Sequence, residues 1–276
     1  MTTSSDPAAP SIRNRPAEAP AAPGEYAAGP GAVPLPRRVF AEALGTGSLV
    51  TVVIGSGIMA ARLSPHDAGL QLLMNSTTTA LALTVLIIWL GPVSGAHFNP
   101  AVSLADWFVH RRRTTGLNAR ELAAYVTAQT AGAAGGAILA NLMFALPAVA
   151  LSQHERAQPH LWLGEVVATA GLIAVVLTLA RTGRAALAAP TIGAYIGAAY
   201  WFTSSTSFAN PAVTAGRALS DTFAGIAPAS VPGFVAAQLA GAVIGVLLLA
   251  VLYPSAGAAA DGAERAAEPA RRPARP

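Results

Sequence analysis

The stretch "SGAHFNPAVSLADW", Ser94 to Trp107, follows a long apolar run, and "STSFANPAVTAGRAL", Ser205 to Leu219, stands in the same relation to another. Asn is favoured at a helix N-cap, where its side-chain oxygen accepts a backbone N–H, and Pro fits the first turn, where no donor is needed. Asn99-Pro100 and Asn210-Pro211 therefore each predict a helix start, running to the polar breaks at His110 and Ser220. About ten residues at 1.5 Å rise give about 15 Å, half the thickness of a bilayer's hydrocarbon. Two such half-helices entering from opposite faces would meet N-terminus to N-terminus. The segments that join them to the preceding spans, including Gly91-Pro92 and Ser94-Gly95, read as irregular backbone. Backbone of that kind is tolerated at membrane depth only where protein buries it or it lines a watery cavity. The pattern predicts a pore.

Composition agrees with that setting. The chain is 53% hydrophobic and 11% charged, with mean hydropathy +0.51, which places it outside ordinary soluble domains. Net charge is +4 and every basic residue is Arg, so the chain is short of acids rather than strongly basic, and nucleic acid is not an expected partner. Without cysteine there is no disulfide, thiolate nucleophile or Cys-ligated metal, and without Lys no P-loop or Schiff-base chemistry. No cofactor and no metal site are expected.

Residues 1–36 and 255–276 are rich in Ala, Pro and Gly or Arg and predict disordered tails around a channel domain at 37–254. Within it six stretches are long enough to cross a bilayer, near 39–60, 69–90, 120–145, 162–182, 185–203 and 231–253. Six crossings put both tails on one side. Most Arg residues fall on that side, leaving Arg62, Arg156 and Arg217 for the other, so both termini are expected to be cytoplasmic.

The two halves are related. "AEALGTGSL" from Ala41 parallels "GEVVATAGL" from Gly164, and "AQTAGAAGG" from Ala128 parallels "AQLAGAVIG" from Ala237. The Asn-Pro-Ala motifs, Asn99-Pro100-Ala101 and Asn210-Pro211-Ala212, occupy equivalent places. The first repeat covers about 37–146 and the second about 160–254. Each holds three crossings, an odd number, so the second enters the membrane inverted, an arrangement associated with transport at the midplane.

With these residues in view the chain resembles the aquaporin family, the major intrinsic proteins. The resemblance rests on Glu-x-x-x-Thr of the first and fourth spans, both Asn-Pro-Ala loops with "SGAHF", and Ala-Gln-x-x-Gly of the third and sixth. It implies an all-α membrane protein of six transmembrane helices plus two re-entrant half-helices, a homotetramer with one pore per subunit, in the plasma membrane. Opposed helix N-termini, each carrying about half a positive charge, would oppose cations, while the Asn amide hydrogens would remain free for a passing oxygen.

The chain departs from the family at the constriction. Where the family usually places Arg after the second motif, this chain has Val213. The remaining filter positions carried over by the resemblance are Thr79, Ala198 and Ser207, all small. A wide, uncharged filter implies passage of small neutral solutes, glycerol-like or metalloid hydroxides such as arsenite, together with water. The alternatives are a water-selective aquaporin and, from another class, a coupled secondary transporter. The spans lack the several ionisable residues that coupling requires, and no nucleophile–base set suggests an enzyme.

Glu42 and Glu165 lie inside spans, where a carboxylate is functional by default. The resemblance implies instead that they accept hydrogen bonds from the re-entrant loops, with His97 packing beside them. Arg217, one turn beyond Val213, reads as complementing the half-helix dipole, or else as standing in for the missing charge. Gly132, Gly136, Gly241 and Gly245 form small-xxx-small pairs that predict close helix contacts.

Overall fold

The computed structural model describes residues 33–111 and 116–254. The predicted tails therefore lie almost wholly outside the described residues. Where they meet, the first helix α1, Leu35–Leu63, begins inside the stretch read as tail, with Pro36 in its first turn. Pro is compatible with that position, because its fixed φ suits a helix and its missing N–H would have no partner there.

The chain continues through α2 (Ala68–Ser94), the half-helix α3 (Pro100–His110), α4 (Ala119–Met143), α5 (Pro159–Arg181), α6 (Ala188–Phe202), the short α7 (Pro211–Arg217) and α8 (Val231–Leu252). A 3-10 turn, Ala185–Leu187, precedes α6, and another, Pro228–Ser230, precedes α8. Among the described residues all regular structure is helical. Five helical segments are long and apolar enough to cross a membrane by themselves. The sixth crossing, α4, has the length at 25 residues but carries Glu121, Gln129 and Asn141, all buried within the protein. Its polar groups meet protein partners rather than lipid.

Two details differ from the sequence expectation. Gly91-Pro92 does not begin the irregular segment, because α2 continues through Pro92 to Ser94 and stops only at Gly95, in the left-handed conformation (φ 89°). Pro92 leaves one helical carbonyl without its usual donor, which a last turn tolerates. The second half-helix is shorter than predicted, seven residues against eleven in α3.

The halves correspond element by element: α1 packs on α4 as α5 packs on α8. The glycine pairs explain how close these contacts are. A Cβ on Gly132 would stand 2.2 Å from the Ala43 carbonyl oxygen, and one on Gly136 would stand 2.1 Å from that of Gly47. In the second repeat a Cβ on Gly241 would meet the Val166 carbonyl oxygen at 2.5 Å, and one on Gly245 that of Ala170 at 2.7 Å. Apolar side chains cover the outside, among them Leu81, Val85, Ile88 and Trp89 of α2 and Val243, Leu247 and Val251 of α8. Faces of this kind suit hydrocarbon.

Candidate functional site

Each half-helix is reached by a loop whose backbone a helix could not follow. Gly95, Ala96 and Phe98 have φ of 89°, 51° and 48°, and Thr206, Ser207 and Ala209 have 61°, 49° and 48°. These are the same three places relative to Asn99 and Asn210, so the repeat extends to individual dihedral angles. Non-Gly residues at positive φ need surroundings that hold them there.

A buried carboxylate supplies that hold in each half. Glu42 Oε1 accepts from the His97 N–H (3.0 Å) and the Ser94 hydroxyl (2.6 Å), and Oε2 from the Phe98 N–H (2.7 Å) and Gln129 Nε2 (2.8 Å). Glu165 accepts from the N–H groups of Phe208 and Ala209, both at 2.8 Å, and from Gln238 Nε2. Gln129 Nε2 also donates to the Ser103 hydroxyl of α3, and Gln238 Nε2 to the Thr214 hydroxyl of α7. Each carboxylate thus ties its opening span to a loop, a closing span and a half-helix. His97 packs edge-on against Tyr125, and its Nδ1 lies 3.0 Å from Ser103 Oγ.

Asn99 and Asn210 are the N-caps of α3 and α7. Asn99 Oδ1 accepts from the Ala101 N–H, and Asn210 Oδ1 from those of Ala212 and Val213. The sequence suggests free amides, but each amide is partly engaged. Asn99 Nδ2 donates to the Ala209 carbonyl and Asn210 Nδ2 to the Phe98 carbonyl, each at 2.7 Å. An amide nitrogen carries two hydrogens, so each Asn spends one on the opposite loop and keeps one.

Both Asn residues line a cavity of about 450 Å³, with Leu49, Val53, Leu83, Ile87, Leu172 and Val176 on its apolar wall. Thr79, Ser207 and Val213 also line it, as do His97 and Arg217. Ala198 does not: it is exposed on the outside of α6, and the residues of that helix that reach the cavity are Ala188, Ile192, Ile196 and Tyr200. At about 100° per residue, a position two away from Ile196 and Tyr200 points to the opposite face. Gly193 and Gly197, which pack on Ala80 of α2, set that phase. Tyr200 Oη donates to Thr79 Oγ1 at 3.3 Å, so an aromatic side chain spans the place expected to be wide.

The cavity lining also carries a charge. Arg217 is only 2% exposed and lines the cavity, with its Nε donating to the Ala224 carbonyl and its guanidinium 3.3 Å from the centroid of the Phe208 ring. Arg156, from the connection between α4 and α5, approaches the same ring at 5.1 Å and donates through Nε to the Gly225 carbonyl. Burial holds the Arg156 guanidinium below its ordinary pKa, partly offset by Glu165 and Tyr200. Tyr200, Phe208 and Arg156 were missed from sequence. For Tyr200 the helical phase of Gly193 and Gly197 was a usable signal. Among the described residues no group of three or more His, Cys, Asp or Glu is placed to hold a metal.

Similarity to known proteins is broad. The model of the family "Major intrinsic protein" matches residues 32–207. The chain is 52% identical to Aquaglyceroporin AqpS of Rhizobium meliloti over 215 residues, 78% of this chain and 89% of that protein. It is 32% identical to the Glycerol uptake facilitator protein of Pseudomonas aeruginosa over 268 aligned positions, covering 81% of this chain and 92% of the relative. The X-ray structure of the aquaglyceroporin from Plasmodium falciparum superposes with a TM-score of 0.60 at 18% identity, covering 78% of this chain and 96% of that one, a likeness of fold. The paired re-entrant half-helices, the carboxylates that hold them and these similarities lead to one assignment: the chain belongs to the major intrinsic protein family.

Proposed function

We propose that the protein is a passive transmembrane channel for small neutral solutes of the glycerol class and for water. The observation that carries this is the meeting of Asn99 and Asn210 in one continuous cavity, each at the N-terminus of a half-helix and each with an amide hydrogen to spare. That pair offers donors to a permeant oxygen, while both helix ends present partial positive charge in a low-dielectric setting. The apolar wall opposite gives a solute few other polar partners, so a hydroxyl is drawn towards the Asn pair as a neutral acceptor. Curated relatives named aquaglyceroporin and glycerol uptake facilitator support the solute class. Undissociated arsenite, a small neutral trihydroxide, has the same hydrogen-bonding character and belongs to the proposed range. Thr79, Ser207 and Val213 are proposed to form the constriction, with Tyr200 in the place first given to Ala198.

The channel is proposed to act as a homotetramer in the plasma membrane with both termini cytoplasmic. The orientation is supported by Arg37, Arg38, Arg111, Arg181 and Arg184 falling at one end of the spans, with Arg62 and Arg156 at the other. The test is stopped-flow light scattering on proteoliposomes under water, glycerol and arsenite gradients. Faster equilibration of each, with no dependence on a proton or Na⁺ gradient, is expected. Solute accumulation driven by an ion gradient would replace the channel reading with a coupled transporter.

A further inference from the structure

Val213 leaves the position after the second Asn-Pro-Ala without a charge, yet a guanidinium lines the same cavity from four residues further along. Helical side chains lean towards the N-terminus of their helix and cover the surface of the preceding turn. An Arg at 217 is therefore directed back towards the level of Val213, and both residues line the cavity.

The surroundings of Arg217 are built to hold it. The Phe208 ring beneath the guanidinium is fixed from two sides, by the bond from its N–H to Glu165 and by an edge-on contact with Phe234 at 5.1 Å between centroids. The Nε–H is taken by the Ala224 carbonyl. No carboxylate pairs with Arg217: among the described residues the ion pairs are Arg38–Glu121 and His110–Asp106. A buried cation without a counter-ion is costly unless its remaining donors find partners. A guanidinium has five N–H donors, of which Nε uses one, and the cavity is where the others can be satisfied. Ser207, immediately before Phe208, lines the same cavity, and its buried hydroxyl has no partner. Donors that need acceptors and a hydroxyl that needs a partner thus border one space.

We propose that Arg217 is a displaced filter cation, which together with the Ser207 hydroxyl forms a subsite for the oxygens of a short neutral polyol and excludes longer ones. Phe208 is the positioning residue for that guanidinium. The inference rests on the solute-channel reading above and deepens it.

The test compares ribitol with glycerol permeability in proteoliposomes of matched protein density. Arg217→Ala is expected to raise the ribitol-to-glycerol ratio at least fivefold. The double variant Val213→Arg/Arg217→Ala, which returns a guanidinium one turn earlier, is expected to bring the ratio back to within twofold of the wild type. A ratio within twofold of wild type in Arg217→Ala, or no restoration in the double variant, overturns the proposal. If Arg217→Ala is not recovered as folded protein, Phe208→Leu keeps the guanidinium but removes its platform. There a threefold or larger rise supports the proposal and an unchanged ratio overturns it. Wild-type protein that passes no glycerol would sink the channel reading itself, whereas intact glycerol flux with an unchanged ratio sinks only the role of Arg217.

Discussion

Asn99 and Asn210 each hold the other's loop: the amide of each donates at 2.7 Å to the carbonyl of the residue just before its counterpart. The two repeats are thereby joined at their centre by a reciprocal pair of buried hydrogen bonds. Asp at 210 would keep the size and the capping oxygen but lose the donor to the Phe98 carbonyl, and would place a negative charge where two helix dipoles now oppose cations. Asn210→Asp is expected to admit measurable Na⁺ into vesicles loaded with a Na⁺-sensitive dye, and to lower glycerol permeability at least fivefold. Wild-type behaviour in both measurements would remove Asn210 from the barrier.

Val213→Arg would add a further guanidinium beside those of Arg217 and Arg156. The constriction would narrow, and another like charge would enter a low-dielectric space. Glycerol and arsenite permeability are expected to fall at least tenfold, about 1.4 kcal/mol on the barrier, with water permeability changing much less. Stopped-flow traces for the three permeants decide it, and unchanged glycerol and arsenite fluxes would show that Val213 does not border the constriction.

Glu165 serves several buried donors, among them those of Phe208, Ala209 and Gln238. A buried donor left without its acceptor costs about 1–3 kcal/mol, and a few such losses in a domain of this size lower the unfolding midpoint by roughly 10 °C. Thermal unfolding in detergent is expected to show a fall of that order for Glu165→Ala, together with loss of glycerol flux. Glu42→Ala should behave alike, since its four donors include two loop N–H groups at equivalent places. Normal stability in either variant would mean that the loops hold their conformation without the carboxylate.

Gly135 and Gly136 are neighbours with opposite expectations. A Cβ on Gly136 meets the Gly47 carbonyl oxygen at 2.1 Å, while one on Gly135 meets nothing within 4 Å. Gly136→Val should therefore force α4 away from α1 and sharply reduce the yield of folded protein. Gly135→Ala should be neutral or slightly stabilising, because Ala loses less backbone entropy in a helix. Size-exclusion profiles and unfolding midpoints of the two variants separate them, and equal behaviour would contradict the close contact.

The sequence by itself determined the class of this protein, because hydrocarbon admits few backbone solutions. Six long apolar stretches, two Asn-Pro half-helices and an odd number of crossings per repeat constrain the architecture through local rules of capping, length and symmetry. The loop-holding roles of Glu42 and Glu165 came from the family resemblance, and the glycine contacts from their spacing. What only the tertiary structure decided was where side chains of different elements meet. Ala198 was misplaced because filter positions carried over by spacing ignore helical phase, which packing of Gly193 and Gly197 on α2 sets. The spare hydrogen on each Asn depends on a bond to a loop some 110 positions away in the chain. Arg217 was visible as a charge in the sequence, but its place over Phe208 and within the cavity follows from the fold of the second loop. Backbone preferences are local and can be read along the chain. The lining of a pore is a surface shared by several helices, and its chemistry depends on their relative rotation.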